Sequence, residues 1–160
     1  MRTLSAVLVL ALAACSPQPA VETGTVPELD GAFGFGSLVV VDDQGESHDF
    51  DVYLATTPAQ QRRGLMFVRQ MPESTGMLFV YDGDGHRSMW MKNTYIPLDM
   101  IFARADGSVS SVITNTVPQT LKSHASVEPV TYVLELNAGT TRRLGIGNKS
   151  KIIWRPPEQE

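Results

Sequence analysis

The sequence predicts a mainly β domain, a single antiparallel β-sandwich, jelly roll or barrel with one or two short helices. Its length of 160 residues and its 42% hydrophobic content fit one globular domain with a sizeable core. Residues 48–54 alternate strictly, with Phe50, Val52 and Leu54 on one face, which is the period of a half-buried strand. Further short apolar runs follow between turn signals, and seven or eight such strands indicate a sandwich or a barrel.

One short helix is predicted directly after the second strand. Thr57 is an N-cap residue, Pro58 occupies the first helical position, and Gln60 is placed to close a capping box. Gly64 can end the helix in the left-handed conformation.

Hairpins account for most of the predicted strands. The polar turn at residues 42–45 joins the first two strands, and the Asp-Gly pairs at residues 82–85 and at Asp106-Gly107 are also typical hairpin turns. In chain order, the predicted strands lie at residues 38–41, 48–54, 77–81, 89–92, 98–103, 109–113, 130–136 and 151–154.

The N-terminus has the pattern of an exported lipoprotein. Residues 1–14 combine a positive start, a nine-residue apolar stretch too short to span a bilayer, and two small residues, which is typical of a signal peptide. Residues 12–15 resemble the bacterial lipobox, so Cys15 is predicted to be lipidated and to anchor the chain in a membrane. Ser16 after the cysteine favours the outer membrane, by resemblance to lipoprotein sorting rules.

A tether and one domain are predicted beyond the signal. Residues 15–32 are rich in proline and glycine and are expected to be flexible, whereas residues 33–160 form the β-rich domain. Because Cys15 is the only cysteine and is predicted to carry lipid, the domain is expected to have no disulfide, no thiol nucleophile and no cysteine-ligated metal. The predicted address is therefore the cell envelope, with a lipid-anchored domain facing the periplasm.

The charges are distributed unevenly along the chain. Residues 22–51 contain eight acidic and no basic residues, whereas from residue 52 onward twelve basic residues exceed nine acidic ones. The basic residues occur singly or in pairs, as at Arg62 and Arg63, and not as the clustered stripe typical of nucleic-acid binding. No nucleic-acid partner is expected.

Several short sequence blocks follow one another between residues 52 and 153. They are Arg63-Gly64-Leu65-Met66, Gly76-Met77-Leu78-Phe79, Trp90-Met91-Lys92-Asn93-Thr94, Ile96-Pro97-Leu98-Asp99, Tyr132-Val133-Leu134-Glu135 and Asn137-Ala138-Gly139. In these blocks and in their order, the chain resembles a bacterial and archaeal family known as domain of unknown function 192. The resemblance implies a compact, mainly antiparallel β fold of sandwich or jelly-roll type with one or two short helices, and it implies no reaction.

Polar residues concentrate around a predicted corner that contains Pro97. Lys92 and Asp99 can form a structural salt bridge across it, while Asn93 binds the turn backbone. Alternatively, these residues belong to a ligand site, in which Trp90 lies on the strand face of Lys92 and suits sugar recognition. The ligand-binding hypothesis comprises Arg63, Trp90, Lys92, Asn93, Asp99 and Glu135.

The favoured function is a binding or accessory module for an envelope component, either a glycan or another envelope protein. One alternative is a hydrolase or lyase that uses Asp99 and Glu135 as a carboxylate pair. Another is Cu(I) binding by His86, Met89 and Met91, since thioether and imidazole groups suit this metal, although methionines are also common core fillers. No catalytic residue is assigned, and no cofactor or bound metal is expected.

Overall fold

The computed structural model describes residues 25–156, so the predicted signal peptide and Cys15 lie outside the described residues. The described part forms nine strands and two short helices, which confirms a mainly β fold. The strands are β1 (Gly34–Val41), β2 (Ser47–Ala55), β3 (Thr75–Gly85), β4 (Ser88–Met89), β5 (Leu98–Ala103), β6 (Val109–Ile113), β7 (His124–Ala125), β8 (Val130–Asn137) and β9 (Lys151–Ile153); the helices are α1 (Pro58–Arg63) and α2 (Thr140–Leu144). Within residues 25–156, neither helix has the length and apolar character needed to cross a bilayer.

Seven of the strands form one sheet that closes almost completely into a barrel. Their order is β6-β5-β8-β3-β2-β1-β9, while β4 and β7 pair separately. The two edges meet where Ser108 bridges to Lys151 and where the Ile152 N–H donates to the Gly107 carbonyl at 2.8 Å. Gly107 has φ +82°, and a Cβ there would lie 2.0 Å from the Ile152 oxygen, so only glycine fits this seam.

One strand pair departs from the predicted antiparallel arrangement. β2 and β3 are parallel, whereas all other pairs of named strands in the described chain are antiparallel. Parallel neighbours require a crossover in place of a hairpin, and residues 56–74, which contain α1, provide it.

The capping residues predicted from the sequence define α1. Thr57 accepts a hydrogen bond from the Gln60 N–H, and the Gln60 side chain accepts one from the Thr57 N–H at 3.0 Å, so the capping box is confirmed. Gly64 has φ 47° and ψ −139°, so its predicted left-handed helical conformation is wrong, although the positive φ still favours glycine.

Both faces of the sheet are buried, each in its own hydrophobic cluster. Ile101 belongs to the cluster that draws on all seven barrel strands and therefore fills the barrel. Its neighbours Met100 and Phe102 belong to the other cluster, which draws on the barrel strands β2, β3, β5 and β8. That outer face is covered by loops and by the segment before β1, so the domain has a core inside the barrel and a second core outside it.

The chain is already part of the fold before residue 33, which corrects the predicted extent of the tether. Val26 and Leu29 are fully buried in the outer core, and the Val26 N–H donates to the Tyr53 hydroxyl at 2.7 Å. The apolar residues Val26, Leu29 and Phe33 are spaced so that this short segment can cover the outer face of β2. Residues 26–33 therefore pack as part of the domain.

The hairpin predicted at residues 82–85 is wrong, whereas those of β1 with β2 and of β5 with β6 are confirmed. β3 continues to Gly85 and pairs with β2 and β8, while β4 pairs with β7. The two Asp-Gly pairs lie within β3, where its register with β8 shifts between Val80 and Gly85. These glycines therefore accommodate an irregularity in a long strand and do not reverse the chain.

Candidate functional site

One small cleft on the outer face of the barrel is lined by three of the predicted site residues, Arg63, Trp90 and Glu135. The end of α1 and the loop after it form one wall, the segment after β4 forms another, and β3 and β8 form the floor. The cleft encloses about 20 Å³, and its lining comprises residues 61–66 together with Phe79, Met89, Trp90, Thr94 and Glu135.

Glu135 lies on the floor of the cleft as a buried carboxyl group without a partner. It stands between Met77 of β3 and Met100 of β5 and is 3% exposed. Among residues 25–156, no side chain or backbone group forms a hydrogen bond or an ion pair with it. Burial raises the pKa of Glu135 to about 8, because the ionised form loses its hydration. Glu135 is therefore largely protonated at neutral pH and can donate as well as accept a hydrogen bond.

Trp90 forms the outer rim of the cleft and is 47% exposed. The Lys92 ammonium lies 5.3 Å from its ring centroid, within the range of a cation–π contact. Met91 between them is fully buried in the outer core, so Trp90 and Lys92 both project to the solvent side. The structure therefore brings together the tryptophan and the lysine that the sequence placed on one face.

The loops around the cleft are held in an unusual backbone conformation. Four non-glycine residues have positive φ among the described residues. Three of them, Phe67, Asn93 and Gln119, lie in these loops, whereas Asn115 lies beside Asp99 at the end of the barrel. The carbonyl of Asn93 accepts a hydrogen bond from the Phe67 N–H at 2.8 Å, and the Gln119 N–H donates to the carbonyl of Thr94 at 3.1 Å. Because such conformations cost about 1 to 3 kcal/mol each, they persist only where the surrounding contacts fix them, and they cluster at functional sites.

Asp99 points away from this cleft, into the end of the barrel. It is fully buried, and it accepts hydrogen bonds from the Asn115 N–H at 2.9 Å and from the Thr141 N–H and hydroxyl at 3.0 and 2.7 Å. It lies opposite Leu136 of the inner cluster, whereas Glu135 belongs to the outer face. The predicted Lys92–Asp99 salt bridge is therefore absent from the described structure, and Asp99 and Glu135 do not form a carboxylate pair.

Arg63 contributes to the wall of the cleft, but its guanidinium lies elsewhere. It donates to the Glu28 carbonyl and lies 5.3 Å from the centroid of the Phe33 ring. Arg63 thus holds the N-terminal segment against the barrel. The sequence predicts that Arg63 binds a ligand, whereas in the structure its guanidinium binds the segment that precedes β1.

The structure does not assemble the predicted copper ligands. His86 is exposed, whereas Met89 and Met91 are buried in the outer core, where the Tyr81 hydroxyl lies 3.6 Å from the Met89 sulfur. His124 lies opposite Met89 in the β4–β7 pair and is buried, with its Nε2 unpartnered among residues 25–156. Burial lowers the pKa of His124. Within the same described range, no group of three or more His, Cys, Asp or Glu residues could hold a metal ion.

Sequence reasoning missed two parts of the site. Thr94 and residues 64–66 line the cleft but do not belong to the predicted ligand site. Both lie within blocks that carry the family resemblance, so their position in the sequence was the available signal. His124 offered no such signal, because its pairing with Met89 joins residues far apart in the chain.

Comparison with known proteins finds one matching family and similar solved structures. The family DUF192, described as Uncharacterized ACR, matches residues 39–154. A crystal structure from Sinorhizobium meliloti, described as a "putative transcription regulator", is similar with a TM-score of 0.74 and 42% identity, over 75% of this chain and 93% of that one. A protein of unknown function from Novosphingobium aromaticivorans is similar with a TM-score of 0.75 and 33% identity, over 91% and 99% of the two chains. No curated protein matches the chain.

Proposed function

The chain belongs to the DUF192 family of uncharacterised proteins, and from that premise we propose that it is a glycan-binding module of the bacterial cell envelope. In this proposal a sugar ring rests on Trp90 and one of its hydroxyl groups enters the cleft to meet Glu135. The observation that carries the proposal is the buried, partnerless carboxyl group of Glu135 beneath an exposed tryptophan.

The environment of Glu135 supports a role in binding. Burial of a polar group without a hydrogen bond costs about 1 to 3 kcal/mol, so a ligand group that pairs with this carboxyl recovers free energy that the protein alone does not supply. Its raised pKa keeps it largely protonated, and a neutral carboxyl suits a hydroxyl group, which both donates and accepts. Retention of such a residue at a stability cost is typical of functional sites.

The size of the cleft limits what can enter it. A volume of about 20 Å³ holds one group of the size of a water molecule. A single hydroxyl fits this volume, whereas a whole sugar ring does not. The rest of the ligand must lie on the rim, where Trp90 offers a broad apolar surface with a polar N–H at its edge.

The predicted address supports an envelope ligand. A lipid anchor at Cys15 would hold the domain at a membrane facing the periplasm, where glycans and other envelope proteins are available. A carboxylate-pair hydrolase gains no support, because Glu135 is the one carboxyl among the described residues that line this cleft.

Titration calorimetry tests the proposal, with the purified chain and two soluble probes, tetra-N-acetylglucosamine and maltotetraose. We expect at least one probe to bind and Trp90→Ala to weaken its binding about 30-fold, as loss of a central aromatic contact does. Phe35→Ala is the matched control, because Phe35 is 49% exposed and lies outside the cleft. Glu135→Leu should abolish binding yet raise the melting temperature. Absence of binding by the wild type, or equal binding by Trp90→Ala and wild type, would contradict the proposal.

A further inference from the structure

Large apolar side chains are exposed on three neighbouring loops near the cleft. Phe67 is 50% exposed, Val117 63% and Leu121 71%, and Trp90 adds a further half-exposed ring. Isolated exposed apolar residues are ordinary, whereas a group of them on one surface indicates an interaction site. Together with the nearby Arg69, Lys92 and Lys122, these residues define what we call the loop face.

Backbone hydrogen bonds join these loops into one surface. The Phe67 N–H donates to the carbonyl of Asn93, and the Met91 N–H donates to the carbonyl of Thr120 at 3.2 Å. The first bond ties the loop after α1 to the segment that follows β4, and the second ties that segment to the loop before β7. Since Phe67, Asn93 and Gln119 also have fixed positive φ values, the loops present a preformed surface.

The loop face contains basic residues and no acidic ones. Residues 56–72, 85–98 and 107–127, which include its three loops, hold six Lys and Arg residues and no Asp or Glu. By contrast, residues 25–55 hold seven acidic residues and no Lys or Arg. The basic residues of these loops therefore have no acidic neighbours within the same loops, and the loop face attracts anionic partners.

We propose that the loop face docks on an anionic lipid bilayer. Phe67, Val117 and Leu121 enter the interfacial region, while the basic side chains meet lipid phosphates. Two basic groups lie over aromatic rings, Lys92 over Trp90 and Arg69 over Tyr95 at 5.1 Å. Aromatic and basic residues of this kind are typical of the headgroup level of membranes.

The aliphatic residues favour a bilayer over a soluble anionic partner. Val117 and Leu121 are more exposed than the aromatic residues and lie on either side of the bend that carries Gln119. A nucleic acid or an acidic polypeptide would engage the charges but would offer these side chains no apolar phase. Each buried CH₂ contributes about 0.8 kcal/mol to partitioning, so the aliphatic groups gain from a bilayer what a polar polyanion does not offer them. This docking needs no glycan and does not rest on the function proposed above.

The fluorescence of Trp90 provides a local test in the full chain. With Trp154→Phe as the background, Trp90 is the one remaining tryptophan. It is mixed with vesicles of phosphatidylcholine and phosphatidylglycerol that contain a brominated phospholipid, which quenches only a nearby ring. Binding of the apolar N-terminus to the vesicle does not by itself place Trp90 in contact with the bromine. We expect strong quenching on these vesicles and weak quenching on vesicles that contain the same brominated phospholipid in phosphatidylcholine but no phosphatidylglycerol.

Two sets of variants separate the apolar and electrostatic contributions. Leu121→Ser with Phe67→Ser should reduce the quenching at least tenfold, whereas Ile153→Ser should not change it, because Ile153 is 43% exposed on β9. Lys122→Gln should weaken partitioning into anionic vesicles about fivefold, as loss of one basic residue near a charged membrane does. Melting temperatures identify any variant that fails to fold, and Leu121→Ser alone then replaces the double variant.

The opposite results would overturn the proposal. Docking through the loop face is excluded if Trp90 stays unquenched on anionic vesicles. It is also excluded if Leu121→Ser and the parent chain are quenched equally. Duplex DNA and polyglutamate are the competitors. If either one displaces the protein from vesicles and binds it as tightly as the vesicles do, the partner of this face is a polyanion and not a bilayer.

Discussion

Substitution of Asp99 by asparagine should destabilise the protein strongly and leave ligand binding intact in the folded fraction. The Asp99 carboxylate accepts one hydrogen bond from Asn115 and two from Thr141, and thereby ties β5 to the loop after β6 and to the start of α2. An asparagine has one acceptor oxygen in place of two, so its NH₂ group must face at least one of these donors.

The magnitude follows from the bonds that are lost. A hydrogen bond to a charged group contributes about 1.5 to 3 kcal/mol, and a buried donor left unpaired costs about 1 to 3 kcal/mol. Because the two figures describe overlapping effects, we expect Asp99→Asn to lower the free energy of unfolding by about 3 kcal/mol. For a domain of this size, that loss lowers the melting temperature by about 6 to 12 °C.

Urea unfolding followed by tryptophan fluorescence provides the measurement, with Asp49→Asn as the control. Asp49 is exposed on β2, so its substitution should shift the unfolding midpoint very little. Our reasoning is refuted if Asp99→Asn unfolds at the same urea concentration as the wild type but loses oligosaccharide binding. In that case Asp99 belongs to the site and not to the frame of the barrel.

Two further predictions concern the carboxyl group of Glu135 and the barrel seam. The folded pKa of Glu135, about 8, exceeds its ordinary value of 4.5. The stability that comes from its protonated form is therefore complete below about pH 4.5 and is lost as the pH rises through 8. This loss in the free energy of unfolding is on the order of 5 kcal/mol. Glu135→Gln should remove this loss, which urea titrations between pH 5 and 9 measure; an unchanged pH profile would contradict the raised pKa. Gly107→Ala should destabilise the fold by about 2 kcal/mol or more, because the new Cβ would strike the Ile152 carbonyl. Gly45→Ala is its control, with a similar positive φ and open space around it, and equal losses for both variants would show that the seam adds nothing.

The elements predicted correctly are those whose determinants lie close together in the chain. The β1–β2 hairpin, the capping box of α1 and the β5–β6 hairpin each follow from a few adjacent residues. The chemistry of such turns and caps is local, and tertiary packing does not have to be known to recognise it.

The errors arose where distant segments compete for one strand. The Asp-Gly pairs at residues 82–85 carry hairpin chemistry, but β2 pairs with β3 at residues 75–79, and β8 pairs with it at residues 76–80 and again at Gly85. The parallel pairing of β2 and β3 could have been inferred, since a segment of 19 residues with a helix inside it joins them. The composition of the segment before Phe33 predicts a tether, but the apolar spacing within it buries Val26 and Leu29.

The site was only partly predictable because both faces of the sheet are buried. Alternation along β8 places Leu134 and Leu136 on one face and Glu135 on the other, which normally implies that the glutamate meets solvent. Here the outer face is covered by a second core, so the same pattern buries Glu135 and raises its pKa. Period-two patterning reports which residues share a face, but it does not report what covers that face.

The pairing of β1 with β9 has a consequence for the way the chain acquires its structure. These strands bring Val39 opposite Ile153, so the first and last strands of the sheet are direct neighbours. Contacts between such distant residues require a large loss of chain entropy and form slowly. Until residues 151–153 have been synthesised, the apolar stretch 39–41 remains an open strand edge that can pair with other chains. We therefore expect closure of the barrel to come late in folding, and the chain to be most prone to aggregate in the interval before it.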